Sequence, residues 1–473
     1  AVAASAPALA ADRVYGESDL LQLIQQDHPQ SWQWQLQKNG ARLQQVGFQE
    51  RFDPRLESKV GWQKSFRNSI NPASPSLNPA FQSEAMVKQQ LPYGVGLGAG
   101  VFADQVSTLN GQLDQATGLG IAAELSVDLW KNFFGRLDRL EAKSLALNTD
   151  ATELRIYLQK KTFQQEIRKI YWALVANEES RLVAEEMQSL AETQLKEAQR
   201  RRQLSVADSG EVARYAAQLK STEATLAAIH YQKEKYLLSL KTILPSLAGQ
   251  DIAIKVPPTE ATIAAVNQCT ATIKAEKEVP FNHTKTDELL AVLEKKLATD
   301  RVVVNSHDDM DIKIIASGKY AGDDNGTDQA IKAFHQSGQP EYGVALAVSI
   351  PLGKSSERTK MARLNHRYLE LARERANLEA QLTAHHHQIG QLIDLLYSTI
   401  ALRQDNTSLL SDTIKDSQRK FDQARIGVDQ VIRDQNAWQA SRLEQIETKL
   451  LVMHELLDYF AVFTETPCHL NNI

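Results

Sequence analysis

The sequence predicts a mainly α-helical protein with a β portion, assembled from one strand-strand-long helix-tip-short helix unit that occurs twice. Three observations predict it: a coiled-coil seam, a second such stretch at a fixed offset, and period-two stretches ahead of each. The seam runs through Met361, Leu364, Tyr368, Leu371, Leu378, Leu382, Ile389, Leu392 and Leu396, interrupted only by Arg375 and His385. Apolar residues in steps of three and four mark one face of a coiled-coil helix. The stretch follows Ser349-Ile350-Pro351-Leu352-Gly353 and meets no proline before a break at Arg425-Ile426-Gly427-Val428. Roughly 70 helical residues at ~1.5 Å each span ~100 Å. A shorter helix returns through Val431, Trp438, Leu443, Ile446, Leu450 and Leu457.

The first half of the chain repeats this object. Leu129-Trp130-Lys131-Asn132-Phe133-Phe134-Gly135 closes a strand, and a helix follows through Leu140, Leu147, Leu154, Phe163, Ile167, Ile170 and Leu174. A break at 206–210 precedes a shorter helix ending at Leu244-Pro245. Gly135 and Gly353 lie 218 positions apart, while Arg214 and Arg433 lie 219 apart. An offset held over about 110 residues indicates an internal duplication. The organisation that follows is an arm at 1–17, a first repeat at 18–245, an inter-repeat segment at 246–284, a second repeat at 285–464 and a tail at 465–473.

Composition narrows the function. A net charge of −5 gives no basic footprint, so nucleic acid is not an expected partner. Mean hydropathy is −0.37, which suits helices wetted on one face. No run of 18 apolar residues exists, so no membrane-spanning helix is expected. Barrel strands escape that test, because they need only ~9–11 alternating residues. In the opening segment, Ala8-Leu9-Ala10 has the small-x-small form of a signal-peptidase site, and the segment reads as an export-signal remnant or a flexible arm. No cysteine lies near it, so a lipid-anchored N-terminus is not supported.

Taken in order, residues 18–50 read as helix with Ser18 or Asp19 as N-cap and a break at His28-Pro29. Alternation opens at Phe52-Asp53-Pro54-Arg55-Leu56 and runs through Val60, Trp62 and Phe66, and a Pro- and Asn-rich loop follows. A further alternating stretch, Phe81–Ala103, is split by Leu91-Pro92-Tyr93-Gly94; its residues leave open an added hairpin or one lengthened strand. Within it Val95, Leu97, Ala99 and Val101 alternate with glycines. Leu119, Ile121, Ala123, Leu125, Val127 and Leu129 alternate with small or polar residues, and so do Tyr342, Val344, Leu346, Val348 and Ile350. One apolar face and one small or polar face is what a barrel wall between lipid and a wet lumen requires. A half-buried sheet of a soluble domain alternates in the same way. The neighbouring long helices, with no globular core to cover, favour the barrel. Aromatic residues near strand ends, among them Trp62, Tyr93, Trp130 and Tyr320, suit an interfacial girdle. Ser246–Pro280 is irregular, Thr286–Val304 returns to helix, Asp311 starts the second pair of strands, and Asp323–Gln339 reads as a polar loop.

Chemistry-bearing clusters are few. His385-His386-His387 cannot converge on one ion, because consecutive helical residues point about 100° apart. No nucleophile-base set, phosphate loop or carboxylate pair stands out, so no enzyme, cofactor or metal is expected. Asp208, Glu211 and Arg214 at the first tip, and Asp429, Gln430, Arg433 and Asp434 at the second, suit either helix capping or a charged constriction. Leu204-Ser205-Val206-Ala207 and Ile426-Gly427-Val428 place apolar residues at exposed tips, which points to a docking partner.

These residues carry a likeness. The duplicated unit resembles the TolC-like outer membrane efflux proteins over 18–464, above all in Val348-Ser349-Ile350-Pro351-Leu352-Gly353, Arg425-Ile426-Gly427-Val428-Asp429-Gln430-Val431 and Ile170-Tyr171-Trp172-Ala173-Leu174-Val175. Asp27-His28-Pro29 is similar to the family's Asn-Pro near the start of its first helix. The resemblance implies a homotrimer sharing one β-barrel in outer-membrane lipid and one α-helical coiled-coil tunnel through the periplasm of a Gram-negative bacterium. It implies a passive exit duct of a tripartite efflux or type I secretion system, with a periplasmic adaptor and an inner-membrane transporter docking at the tips. Four strands per chain would give about 12 in three copies, or more if Phe81–Ala103 contributes. The family's luminal Asp ring falls here on Gln430 and Arg433, with acids next door at Asp429 and Asp434. The resemblance also brings the inter-repeat and C-terminal segments into one belt, where Cys269 and Cys468 would stand near each other in an oxidising compartment, as a disulfide or as two thiols. The competing expectation is a periplasmic coiled-coil scaffold or adaptor with a β domain.

Overall fold

The computed structural model describes residues 13–24, 28–64, 77–108, 116–205, 208–258, 284–307, 310–353 and 355–462, with isolated positions between 261 and 271. In chain order come β1 (Arg13–Tyr15), α1 (Glu17–Leu23), α2 (Pro29–Gln49), β2 (Arg55–Gln63), β3 (Leu77–Leu91), β4 (Val95–Thr108), β5 (Ala116–Asp128), α3 (Arg136–Gln203) and α4 (Ser209–Ile243). After β6 (Ile252–Ile254) come α5 (Lys285–His307), β7 (Asp311–Asp324), α6 (Thr327–Ser337), β8 (Gln339–Ser349), α7 (Ser355–Asp422) and α8 (Val428–Val462). Both long helices have 68 residues and both return helices have 35. From Arg136 to Ser355 and from Ser209 to Val428 the offset is 219. No helix is long and apolar enough to cross a membrane among the described residues.

Two compact units form, one from Gln37–Glu153 with Leu290–Glu374, the other from Ala1–Leu36, Leu154–Leu289 and Arg375–Ile473. The first holds a six-stranded antiparallel meander in the order β2-β3-β4-β5-β7-β8. Phe81–Ala103 therefore adds a hairpin, with its turn at Pro92-Tyr93-Gly94, and each chain supplies six strands to one sheet. Two glycines lock this turn to the corner between β5 and α3. Gly94 and Gly135 both have positive φ (73° and 71°), and a Cβ on either would strike backbone, Asn132 O at 2.2 Å or Pro92 O at 1.9 Å. Only glycine fits such positions. Asn132 then starts α3, its Oδ1 accepting from the Leu137 N–H at 2.9 Å and the Asp138 N–H at 3.2 Å.

In the second unit a core of Leu20, Ile24, Trp34, Ile167, Trp172, Leu240, Leu244 and Leu457 ties α1 and α2 to the middle of α3 and the C-terminal ends of α4 and α8. The Ile170–Val175 run lies in this core, and the Tyr171 hydroxyl donates to the Lys255 carbonyl at 2.7 Å. Burial, followed by the nearby Glu17 charge, pushes the Tyr171 phenol up to about 12. The break at His28-Pro29 is present. His28 Nδ1 accepts from the Gln30 N–H at 3.0 Å, so its Nε2–H donates to the Ile243 carbonyl at 2.5 Å.

Three expectations are corrected. Gly16, not Ser18 or Asp19, is the N-cap of α1, because the Asp19 carboxylate folds back to accept from the Gly16 N–H at 2.9 Å. The polar loop at Asp323–Gln339 contains the helix α6, whose Ala330 is fully buried. A parallel two-stranded ladder, β1 with β6, joins 13–15 to 252–254, where no strand was expected. Cys269 and Cys468, expected as a disulfide or as two thiols, lie outside the described residues.

Candidate functional site

Two features position functional groups: the faces of the sheet and the tips of the helical hairpins. In every ladder, paired residues share a face. Leu56, Val60, Trp62, Phe81, Val87, Leu97, Val101, Leu119, Ile121, Leu125, Val127 and the Ile312, Ile314, Tyr342, Val344, Leu346 and Val348 side chains all fall on one side. Among described side chains, the charge on this side is Asp324, at the end of β7. The opposite side carries the bases Arg55, Lys59, Lys88, Lys313 and Lys319 and the acids Glu57, Glu84, Asp104, Glu124, Asp128, Asp311, Asp323 and Glu341. Lys88 pairs with Glu57 there at 3.1 Å. The glycines of β4 at 96, 98 and 100 lie on the charged side, and a Cβ at Gly98 would meet the Met86 and Lys88 side chains of β3. Large apolar residues on the uncharged side stay exposed, Val344 at 79 % and Leu346 at 64 %. A sheet face that keeps such residues exposed is built to meet an apolar medium.

The tips repeat one another in backbone as well as sequence. Ser205 and Ala424, again 219 apart, both take left-handed conformations, with φ 60° and 57°. Neither is glycine, and each ends its helix in a tight turn: the Ser205 N–H donates to the Arg202 carbonyl at 2.9 Å and the Ala424 N–H to the Phe421 carbonyl at 2.8 Å. Asp208 caps α4, accepting from the Glu211 N–H at 2.6 Å. Between the hairpins of one chain, Arg214 Nε meets Asp429 Oδ1 at 3.0 Å, both side chains about half exposed. Glu211 faces Arg201 at 3.2 Å, and the Arg201 guanidinium stacks over the Phe421 ring at 5.0 Å. Asp434 is held by Ser417 at 2.5 Å and Gln430 at 2.8 Å, while Arg433 donates to Gln430 at 2.9 Å. One turn further in, Gln218 and Asn436 exchange side-chain hydrogen bonds of 2.5 and 3.2 Å.

The tip residues picked from the sequence thus form three sets. Arg214 and Asp429 join the hairpins directly; Asp208 and Glu211 are bonded within the first hairpin, and Gln430, Arg433 and Asp434 within the second. Of the docking residues, Leu204 is 66 % exposed. Val428 is instead buried at 4 %, packed with Ala198 and Tyr215, because the first turn of α8 turns inward. It leaves the exposed set. Val206 and Ala207 lie outside the described residues. Sequence reading missed Arg201, Tyr215, Ser417 and Gln218, whose partners lie on other helices. Burial, reinforced by the Glu211 charge, raises the Tyr215 phenol to about 12. Among the described residues no group of three His, Cys, Asp or Glu is placed to hold a metal. His386 of the triplet instead bonds the Tyr459 hydroxyl through Nδ1 at 3.0 Å.

No protein-family model and no curated protein matches the sequence. Solved structures do match in shape. The Vibrio cholerae outer membrane protein VceC aligns with a TM-score of 0.65 at 11 % identity, over 94 % of this chain and 95 % of its own. The Campylobacter jejuni CmeC outer membrane channel gives 0.62 at 11 %, over 94 % and 84 %. The open-state Neisseria gonorrhoeae MtrE outer membrane channel gives 0.58 at 12 %, over 94 % and 88 %. The fold is that of the TolC-like outer membrane channels.

Proposed function

We propose that this chain, which carries the outer-membrane-channel fold, is itself an outer-membrane channel-tunnel of a Gram-negative bacterium, serving as the passive exit duct of a tripartite efflux or type I secretion system. One observation carries the reading: a six-stranded meander with a largely exposed apolar face, whose described charge is Asp324 at a strand end, and a charged opposite face feeds two duplicated 68-residue helices. An open sheet edge is not viable in lipid. With β2 and β8 as the free edges, and strands that alternate in sense, β8 of one copy runs antiparallel to β2 of the next, so copies of this chain can close a ring. Three copies make an eighteen-stranded barrel, beyond the twelve that four strands per chain would give. Stripes of exposed leucines at heptad spacing support self-association of the helices: Leu395, Leu402 and Leu409 on α7 are 65–68 % exposed.

The duct is driven by a partner's energy, and the adaptor and inner-membrane transporter engage the tips around Leu204, Ser205, Ile426 and Gly427. Arg214 and Asp429 tie the two hairpins of each chain at the entrance. The scaffold alternative loses its ground on the uncharged face, since a water-facing sheet would tolerate charges at Leu125, Val127, Leu346 and Val348. The test is density-gradient fractionation followed by the native mass of the detergent-extracted particle. An outer-membrane band and a particle of three 52.8 kDa chains is expected. A water-soluble periplasmic monomer overturns the reading.

A further inference from the structure

The apolar face of the sheet carries a feature that a plain barrel wall does not need. The helix α6 lies on it, beside β5 and β7. Its Phe334 ring stands edge-on to Tyr320, with centroids 5.3 Å apart, and its backbone rests on Gly322, where a Cβ would come within 2.0 Å of the Phe334 nitrogen. Ala330 is fully buried beneath it, while Asp328, Gln329, Lys332 and His335 face outward and are exposed. Between α6 and the strands runs a groove of about 610 Å³, a size within the ~300–1,000 Å³ of small-molecule sites. Phe81, Val101, Leu119 and Ile121 floor it, and Ile331 and Phe334 form its wall. Thr117 also lines the groove. It is only 6 % exposed, and its hydroxyl has no hydrogen-bond partner among the described residues.

We propose that this groove is a lipid site that takes one acyl chain of an outer-leaflet lipopolysaccharide molecule. The Thr117 hydroxyl donates there to an ester or amide carbonyl of the same lipid. The inference rests on the outer-membrane reading above, and three points on the surface itself select the occupant. The groove is continuous with the face which that reading puts against hydrocarbon. It lies at the strand ends away from α3 and α7, hence in the outer leaflet. An amphipathic helix on a lipid-facing wall sits at headgroup level with its apolar side down, which puts Lys332, one turn from Asp328, at the level of anionic headgroups. An orphaned hydroxyl in hydrocarbon is unfavourable, and a lipid carbonyl satisfies it where another alkyl surface would not.

The assembled protein is purified in mild detergent, retained lipopolysaccharide is quantified by mass spectrometry, and amide exchange of α6 is followed in phosphatidylethanolamine vesicles with and without lipopolysaccharide. Wild type is expected to retain lipopolysaccharide and to show slower α6 exchange when it is present. Val101→Trp, filling the floor, and Ile331→Trp, filling the wall without touching the sheet, are expected to lower retention about tenfold, equivalent to about 1.4 kcal/mol. Val344→Trp, on the same face outside the groove, is expected to retain as much as wild type. Equal retention in all four proteins overturns the proposal, as does equal α6 protection by phosphatidylethanolamine alone or occupation of the groove by the chain's own 109–115 segment. Each of these results, obtained with protein that fractionates to the outer membrane, leaves the channel reading standing; failure to reach the outer membrane overturns both.

Discussion

Val344 sits at the middle of β8 on the uncharged face, 79 % exposed, and its neighbour Ala345 points to the charged face. Arginine at these adjacent positions should therefore have opposite effects. At the bilayer midplane a lipid-facing arginine costs ~2–4 kcal/mol, falling to ~0–1 kcal/mol near the interfaces. Val344→Arg should thus shift the ratio of assembled to unassembled chains by about 30- to 900-fold per site. Val127→Arg and Val348→Arg replace residues one position from the ends of β5 and β8, where the long side chain reaches the interface, so they should cost ~0–1 kcal/mol. Ala345→Arg faces the wet side and should assemble normally. The assay is the fraction of heat-resistant oligomer recovered from membranes, across a urea series. If Val344→Arg and Val348→Arg lose assembly equally, the depth dependence is absent and the face is covered by protein, not lipid. Equal recovery of Val344→Arg and Ala345→Arg would refute the two-faced assignment outright.

Three further outcomes follow from described contacts. Arg214→Ala should raise single-channel conductance in a planar bilayer and Arg433→Ala should not, because of these two arginines it is Arg214 that is ion-paired across the hairpins; the exposed pair contributes ~0.2–1 kcal/mol, so high salt should mimic the variant, and an unchanged Arg214→Ala conductance places the gate elsewhere. With three more acids than bases on its inward face, the barrel should be cation-selective, read as the sign of the reversal potential in a salt gradient; anion selectivity contradicts the facing. Tyr171 and Tyr215 have phenols raised in the folded state, so the unfolded chain releases their protons first as pH rises; stability should be unaffected below about pH 10 and fall between 10 and about 12. Tyr171→Phe should flatten that alkaline decline in a denaturant titration, and an unaltered pH profile would place the loss in other groups.

The long elements were legible because periodicity over many turns is a redundant signal. The seam from Met361 to Leu396 and its counterpart in the first half gave two helices and two returns, and the structure places their boundaries at one common offset. The alternation in β4, β5 and β8 gave faces correctly for the same reason. What escaped depends on partners distant in sequence. Three-residue strands such as β1 and β6 are too short to carry a period, and only their pairing defines them. The helix α6 was hidden by its polar majority, although Ala330, Ile331 and Phe334 already had helical spacing. Val428 looked like an exposed tip residue because turn residues usually are; the fold of the preceding αL turn at Ala424 directs it inward. At the tips, the partners were not readable, since Arg214 reaches Asp429 across 215 positions.

The matched helix lengths impose a rule on change. Removing one residue from α3 alone would draw its tip back ~1.5 Å and rotate it ~100°, separating Arg214 from Asp429 and Gln218 from Asn436 together. Removing seven from α3 alone would nearly restore the rotation but leave the tip short by ~10 Å. Only coordinated edits, with whole heptads taken from α3, α4, α7 and α8 alike, preserve both register and reach. The length of this hairpin pair is thus a quantised and shared property: it can be altered in steps of about two turns, in both halves of the duplication at once, or not at all.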